Sequence, residues 1–143
     1  FKVLLELCRR FHEEPMNLGV QFSSSRDIYH HFQTRLGNLK QERFIIVILD
    51  NKHRFLSETT VTVGLLNRSL VHPREVFAEA IEQRAAAIIC IHNHPSGDSR
   101  PSEEDKRITR RLQESGELLG IPLLDHIIIS KEDFTSFADE GWL

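Results

Sequence analysis

At 143 residues, with 40% apolar and 27% charged side chains, the chain has the size and composition of one soluble globular domain with a real core. A net charge of −3 gives no overall attraction for nucleic acid, and a cysteine complement of only Cys8 and Cys90 excludes a disulfide scaffold and fits a reducing cytoplasm. No apolar stretch is long enough to cross a bilayer and there is no signal-peptide pattern, so a membrane is not an expected partner.

Phe1 to Phe11 is amphipathic, with Val3, Leu4, Leu7 and Cys8 at helical spacing, and predicts a short helix. Glu13 to Phe22, holding Pro15 and Gly19, reads as a linker. Residues 1–22 are thus expected to be an N-terminal helix and linker, and residues 23–143 one domain without repeats or internal linkers. Because the chain starts at Phe1 rather than Met, we expect it to be a piece of something longer. Ser25 to Leu39 predicts a helix with Ile28, Phe32, Leu36 and Leu39 on one stripe, which Gly37 would shorten; His30 and His31 read as its surface residues.

Phe44 to Leu49 is apolar at both parities, the pattern of a central strand buried on both faces. Asp50, Asn51 and Lys52 make a turn, and His53 to Val63 pairs back as a second strand that ends at Gly64. Asn67 to His72 is a loop or short strand. Pro73 then opens a helix to about Arg84, with Val76, Phe77, Ala80 and Ile81 inward, and His72 is a residue of its start. Ala85 to Ile91 is a strand, Ser102 to about Leu118 a long helix, Leu123 to Ser130 a strand, and Phe134 to Phe137 a small edge strand. The expected fold is a three-layer α/β domain, its mixed, largely antiparallel sheet flanked by helices.

The chemistry concentrates in Ala85 to Asp105, AAAIICIHNHPSGDSRPSEED. Residues i and i+2 of a strand share a side, so His92 and His94 can present two imidazoles to one point while Asn93 faces away. Pro95 and Gly97 end the strand. Ser102 caps the next helix, and Asp105 lies on the stripe of Ile108, Leu112 and Leu119, aimed at the apolar side. A carboxylate there needs a partner. We read His92, His94 and Asp105 as the ligands of one zinc ion, a set that leaves a coordination position open. The competing reading is a plain capping box, Ser102 to Asp105, beside two polar strand-end histidines. Cys90 shares the face of His92, but a buried cysteine in an apolar strand belongs to the core, and a fourth ligand would close the site. His126, in LLDHIIIS, either supports the ligands or is structural. Lys106, Arg107, Arg110 and Arg111, with Arg100 nearby, form a basic stripe that could meet nucleic acid; balanced by Glu103, Glu104, Glu114 and Glu117, it reads better as a solvated face.

Hydrolysis at such a site needs a base and a donor to a developing oxyanion. Glu42, at the mouth of the buried strand, is the candidate base, with Glu58 on the neighbouring strand as competitor. From the residues alone, Ser102 is the cap of its helix.

His92, His94, Pro95, Ser102 and Asp105 fit, position by position, the motif of the JAB/MPN (JAMM) metalloproteases: an upstream Glu, then H-x-H-P, then S-x-x-D. HNHPSG with DHIIIS downstream resembles the RadC branch of that family, over about Ser24 to the C-terminus. The resemblance implies a fold similar to that of cytidine deaminases, a catalytic zinc, and Glu42 and Ser102 as catalytic residues. It implies a zinc metallopeptidase whose substrate is a protein or peptide, cut at a peptide or isopeptide bond. The family name implies a DNA-repair association, with DNA or a repair protein as a further partner. A non-catalytic DNA- or protein-binding module that retains the metal site is the alternative. RadC-like proteins usually carry a helical region before this domain, so one is expected to be missing here. Where they tend to have Gly-Thr, Gly64 is followed by Leu65. A single zinc suits two-metal nuclease chemistry poorly, and the H-x-E and P-C-x-x-C pattern of deaminases is absent.

Overall fold

The computed structural model describes residues 1–5, 18–64 and 71–143. The predicted helix over Phe1 to Phe11, the linker from Glu13 and the stretch Asn67 to His72 lie largely outside the described residues. Strand β1 (Arg43–Leu49) buries every residue from Phe44 to Leu49, as its unbroken apolar run requires. It pairs antiparallel with β2 (Phe55–Val63) on one side and β3 (Ala87–Asn93) on the other. Strand β3 runs parallel to β4 (Leu123–Ile129), and β4 pairs antiparallel with β5 (Phe134–Ser136), giving the order β2-β1-β3-β4-β5. The single parallel pair is the one joined by a long crossover helix, as parallel strands demand.

Pleating sorts the sheet residues between two cores. Helix α1 (Ser25–Leu36) lays Ile28, Phe32 and Leu36 on Ile45, Val47, Ile89 and Ile127. On the other face, α2 (Pro73–Glu82) and α3 (Glu103–Leu119) lay Val76, Phe77, Ile108 and Leu112 on Phe44, Ile46, Ile88 and Cys90. The result is the three-layer α/β architecture the sequence implies. Among the described residues no helix is long and apolar enough to cross a membrane.

The differences from expectation fall at element ends. Helix α1 stops at Leu36, not Leu39, and Leu39 packs only partly on the core. Strand β2 starts at Phe55, because His53 sits in a left-handed turn (φ 57°) whose backbone is held by Asp50. Strand β3 continues to Asn93, since its ladder with β1 and β4 does not stop where apolarity does. Ile81 and Leu119, both expected inside, lie in the last turns of their helices and are 53% and 46% exposed.

One register slip matters for the site. Ile88 pairs with Leu123 but Ile89 pairs with Asp125, so Cys90 is matched by His126. Without the slip Asp125 would stand opposite Cys90. With it, the imidazole of His126 enters the face covered by α3.

Candidate metal centre

Strand β3 brings His92 and His94 to one side, and the α3 N-terminus brings Asp105 to meet them. Ser102 is the α3 N-cap: its hydroxyl accepts from the Asp105 N–H at 3.0 Å, and the Asp105 carboxylate accepts from the Ser102 N–H at 2.8 Å. The competing capping-box reading is therefore true of the backbone, and it coexists with the cluster. Asp105 Oδ1 lies 3.4 Å from His92 Nε2, and Asp105 Oδ2 lies 3.1 Å from His94 Nε2. Among the described residues these three form the group that could hold a metal ion, with ligand atoms all within 4.8 Å of one another. Ligands about 2.0–2.1 Å from a tetrahedral zinc stand roughly 3.4 Å apart, so the spacing fits.

Proton accounting supports the same conclusion. His94 Nδ1 lies 2.8 Å from the Asp98 carbonyl, which can only accept, so Nδ1 carries the proton. A neutral His94 would then turn a lone pair on Asp105 Oδ2. Two acceptors at 3.1 Å need a cation between them, either a proton or a metal. Burial opposes charge on His94, but its hydrogen bonds to Asp105 and the Asp98 carbonyl, with the charges of Asp105 and Glu42, raise its pKa. Burial likewise opposes the Asp105 anion. The hydrogen bond with His94 and the Ser102 N–H outweigh it and hold the carboxyl well below the usual range. His92 is different: burial, then His126, drives it far below the ordinary imidazole value against the pull of Asp105. Its Nε2 is buried and has no hydrogen-bond partner. An orphaned nitrogen at such a spot is what a metal would satisfy.

Glu42 lines a cavity of about 350 Å³ together with His94, Ser96, Asp98, Arg100, Ser102, Glu104 and Asp105. It lies two residues before Phe44, whose β3 partner is His92, so the pleat turns it to the metal side. Glu58 is on the wrong face: it pairs with Val47 in the α1 layer, and its carboxylate takes a two-pronged ion pair from Arg35 at 2.5 and 3.1 Å. Ser102 opens to the same cavity, and its cap bond uses the oxygen as acceptor and leaves the hydroxyl proton to donate.

Two residues near the site were not anticipated. Asn93 does face away from the imidazoles, but its side-chain oxygen accepts from the Arg43 N–H at 2.7 Å and its amide donates to the Gln41 carbonyl at 3.0 Å. It thereby clamps the backbone on both sides of Glu42. Thr109, one turn after Asp105, touches both the Asp105 carbonyl and His126. A threonine inside an apolar helical stripe carries no signal of this in the sequence.

The remaining candidates take structural places. Cys90 is packed in the core, where burial pushes its thiol up and disfavours the thiolate a metal needs. His72 caps α2 by accepting from the Arg74 N–H. Lys106 and Arg107 pair along α3 with Glu103 and Glu104 at 3.2 and 3.7 Å, the pattern of a solvated face.

Residues 22–142 match the family model described as the RadC-like JAB domain. Over 142 residues the chain is 48% identical to a UPF0758 protein of Syntrophotalea carbinolica, covering 99% of this chain and 63% of that one. It is 44% identical over 142 residues to a UPF0758 protein of Thermotoga maritima, covering 99% of this chain and 64% of that one. With one from Methanosarcina mazei it shares 46% over 143 residues, 98% of this chain and 61% of the relative. The chain thus spans somewhat less than two thirds of the curated relatives it matches.

Proposed function

The chain belongs to the RadC-like JAB domain family, and from that premise and the His92–His94–Asp105 cluster we propose that it is a zinc-dependent hydrolase that cleaves a peptide or isopeptide bond. The observation that carries the reading is the buried, partnerless Nε2 of His92, 3.4 Å from the carboxylate of Asp105, which itself lines a cavity with Glu42 and Ser102. Two imidazoles and one carboxylate suit zinc, and such a set leaves a position open for water or substrate. When bound, zinc supplies a Lewis acid and brings the pKa of water toward about 7.

The chain's own residues do the rest. The Glu42 carboxylate takes the proton of the attacking water and returns it to the leaving amine. Asn93 holds the backbone on either side of Glu42, so the carboxylate is presented from a fixed segment. The Ser102 hydroxyl donates to the carbonyl oxygen as it gains negative charge. Ser102 sits on the first turn of α3, whose N-terminal dipole also favours negative charge.

Turnover of a peptide and isopeptide library by the zinc-loaded protein tests this. Glu42→Gln is expected to lower turnover about 10²–10⁴-fold, the range for loss of a positioned base, with zinc content unchanged. Equal turnover in wild type and Glu42→Gln would overturn the assignment. A second reading, a docking module for DNA or a repair protein, is favoured by Arg107, Arg110 and Arg111, which line one surface hollow together with Glu114. DNA binding that weakens steeply with salt and with neutralisation of these arginines, but not with Glu42→Gln, would support it.

A further inference from the structure

Behind His92 runs a line of three buried hydrogen bonds. His92 Nδ1 lies 2.8 Å from His126 Nε2, His126 Nδ1 lies 2.6 Å from Thr109 Oγ1, and Thr109 Oγ1 lies 2.7 Å from the Asp105 carbonyl oxygen. Thr109, His126 and His92 are all buried, beyond the reach of water. We propose that Thr109 and His126 are positioning residues that lock His92 in the tautomer whose Nε2 lone pair faces the metal. The proposal rests on the zinc reading above and adds to it how the site is kept ready for the ion.

The direction of every proton follows from one fixed end. A backbone carbonyl has no proton to give, so the Thr109 hydroxyl donates to Asp105 O. Having a single proton, Thr109 can then only accept from His126, so His126 carries its proton on Nδ1. The His126 ring is fully buried, and its two nitrogens meet His92 and the Thr109 hydroxyl rather than a carboxylate that would balance a charge, so the ring is neutral and its Nε2 is an acceptor. His92, also neutral, must therefore donate from Nδ1, and its Nε2 is left bare. Reversing the line would set the Thr109 oxygen lone pair against the Asp105 carbonyl at 2.7 Å and would place a proton on Nε2, where the metal belongs.

A ligand histidine commonly donates its second N–H to a carboxylate or a carbonyl. Here it donates to another histidine, which is a dependable acceptor only because Thr109 fixes that ring in turn. The line starts on the backbone of Asp105 and ends on His92, so one ligand residue sets the proton of another across the β3–α3 contact. Phe137 stacks on His126, with ring centroids 4.7 Å apart and planes 14° apart, and holds the ring in place.

Zinc affinity, measured by competition with a chromophoric chelator, and imidazole tautomers, read by nitrogen NMR of the metal-free protein, test the relay. His126→Phe keeps an aromatic ring but no acceptor, and is expected to weaken zinc binding about 10–100-fold, the range for loss of such a partner. His126→Gln can accept from His92 and donate to Thr109, so it is expected to recover most of that loss. Thr109→Val should weaken zinc about 3–10-fold, within or below that range, while Thr109→Ser should not. In wild type the metal-free spectrum should show His92 protonated on Nδ1, and in Thr109→Val a mixture of tautomers. A wild-type His92 protonated on Nε2 would overturn the relay even if His126→Phe fails to fold. Zinc bound as tightly by folded His126→Phe as by wild type would overturn the relay alone. Wild-type protein that takes up no zinc would overturn the metal reading and the relay with it.

Discussion

The pattern Ser-x-x-Asp starts a helix twice in this chain, at Ser24 to Asp27 and at Ser102 to Asp105. Both serines cap, accepting from the aspartate N–H at 3.1 and 3.0 Å. Both aspartates reach back to backbone N–H groups, Asp27 to Ser23 at 3.3 Å and Asp105 to Ser102 at 2.8 Å. Both even have histidine nearby, His31 Nε2 lying 3.7 Å from Asp27. What separates them is where the helix begins. The Asp27 and His31 side chains are 34% and 36% exposed, and water completes their shells. Asp105 and His92 are 4% and 1% exposed, wedged against the end of β3, where water cannot. The serine cap is local and is the same at both helices. Capacity for a metal arises only where a second element delivers imidazoles to a carboxylate that has lost its solvent.

The largest expected difference between the two helix starts is in zinc binding. Asp105→Asn keeps an oxygen that can accept from the Ser102 N–H but removes the anion. Zinc affinity should fall by more than about 100-fold, beyond the effect of losing a partner behind a ligand. Asp27→Asn should leave zinc affinity alone and change stability within about 0.5 kcal/mol. Chelator competition and urea unfolding on both variants measure this. Zinc bound equally well by Asp105→Asn would erase the contrast.

The contrast also shows what could be read in advance. His92 and His94 follow from strand period, and Asp105 from its place on the stripe of Ile108 and Leu112, because each is a short-range pattern. The choice between Glu42 and Glu58 could not be made the same way. It depends on β1 pairing antiparallel with both β2 and β3, which puts Glu58 opposite Val47 and Glu42 on the face of His92. His126 lies in a strand apolar at both parities, and the one-residue slip between β3 and β4 decides its side. Thr109 meets the side chain of His126 on another strand, Asn93 meets backbone groups on either side of Glu42, and no local pattern marks such contacts. Ile81 and Leu119 show the opposite error, since helical periodicity marks both as inward although both are exposed in the last turns of their helices.

A second separation is expected in catalysis. Ser24→Ala and Ser102→Ala should each lose about 1 kcal/mol of stability, because each removes a cap of the same geometry. Only Ser102→Ala should also lower turnover by about 10²–10³-fold, the effect of removing one oxyanion donor, with zinc retained. Unfolding curves and single-turnover rates on the two variants divide the roles. A Ser102→Ala protein with wild-type turnover would reduce Ser102 to a cap and make the two serines equivalent.

The smallest expected effect is at His31, and it asks whether a histidine beside a capping aspartate is enough. A contact of 3.7 Å between side chains about a third exposed competes with water and contributes little. One imidazole and one carboxylate on a single helix also fall short of the three protein ligands that a zinc site of this kind uses. His31→Gln should therefore change stability by no more than about 0.5 kcal/mol and leave the zinc content of the purified protein as it was. Zinc lost from that variant would mean that an exposed cap can hold the ion without burial and without a second element. The distinction between the two helix starts would then rest on the imidazole alone, not on the meeting of β3 with α3.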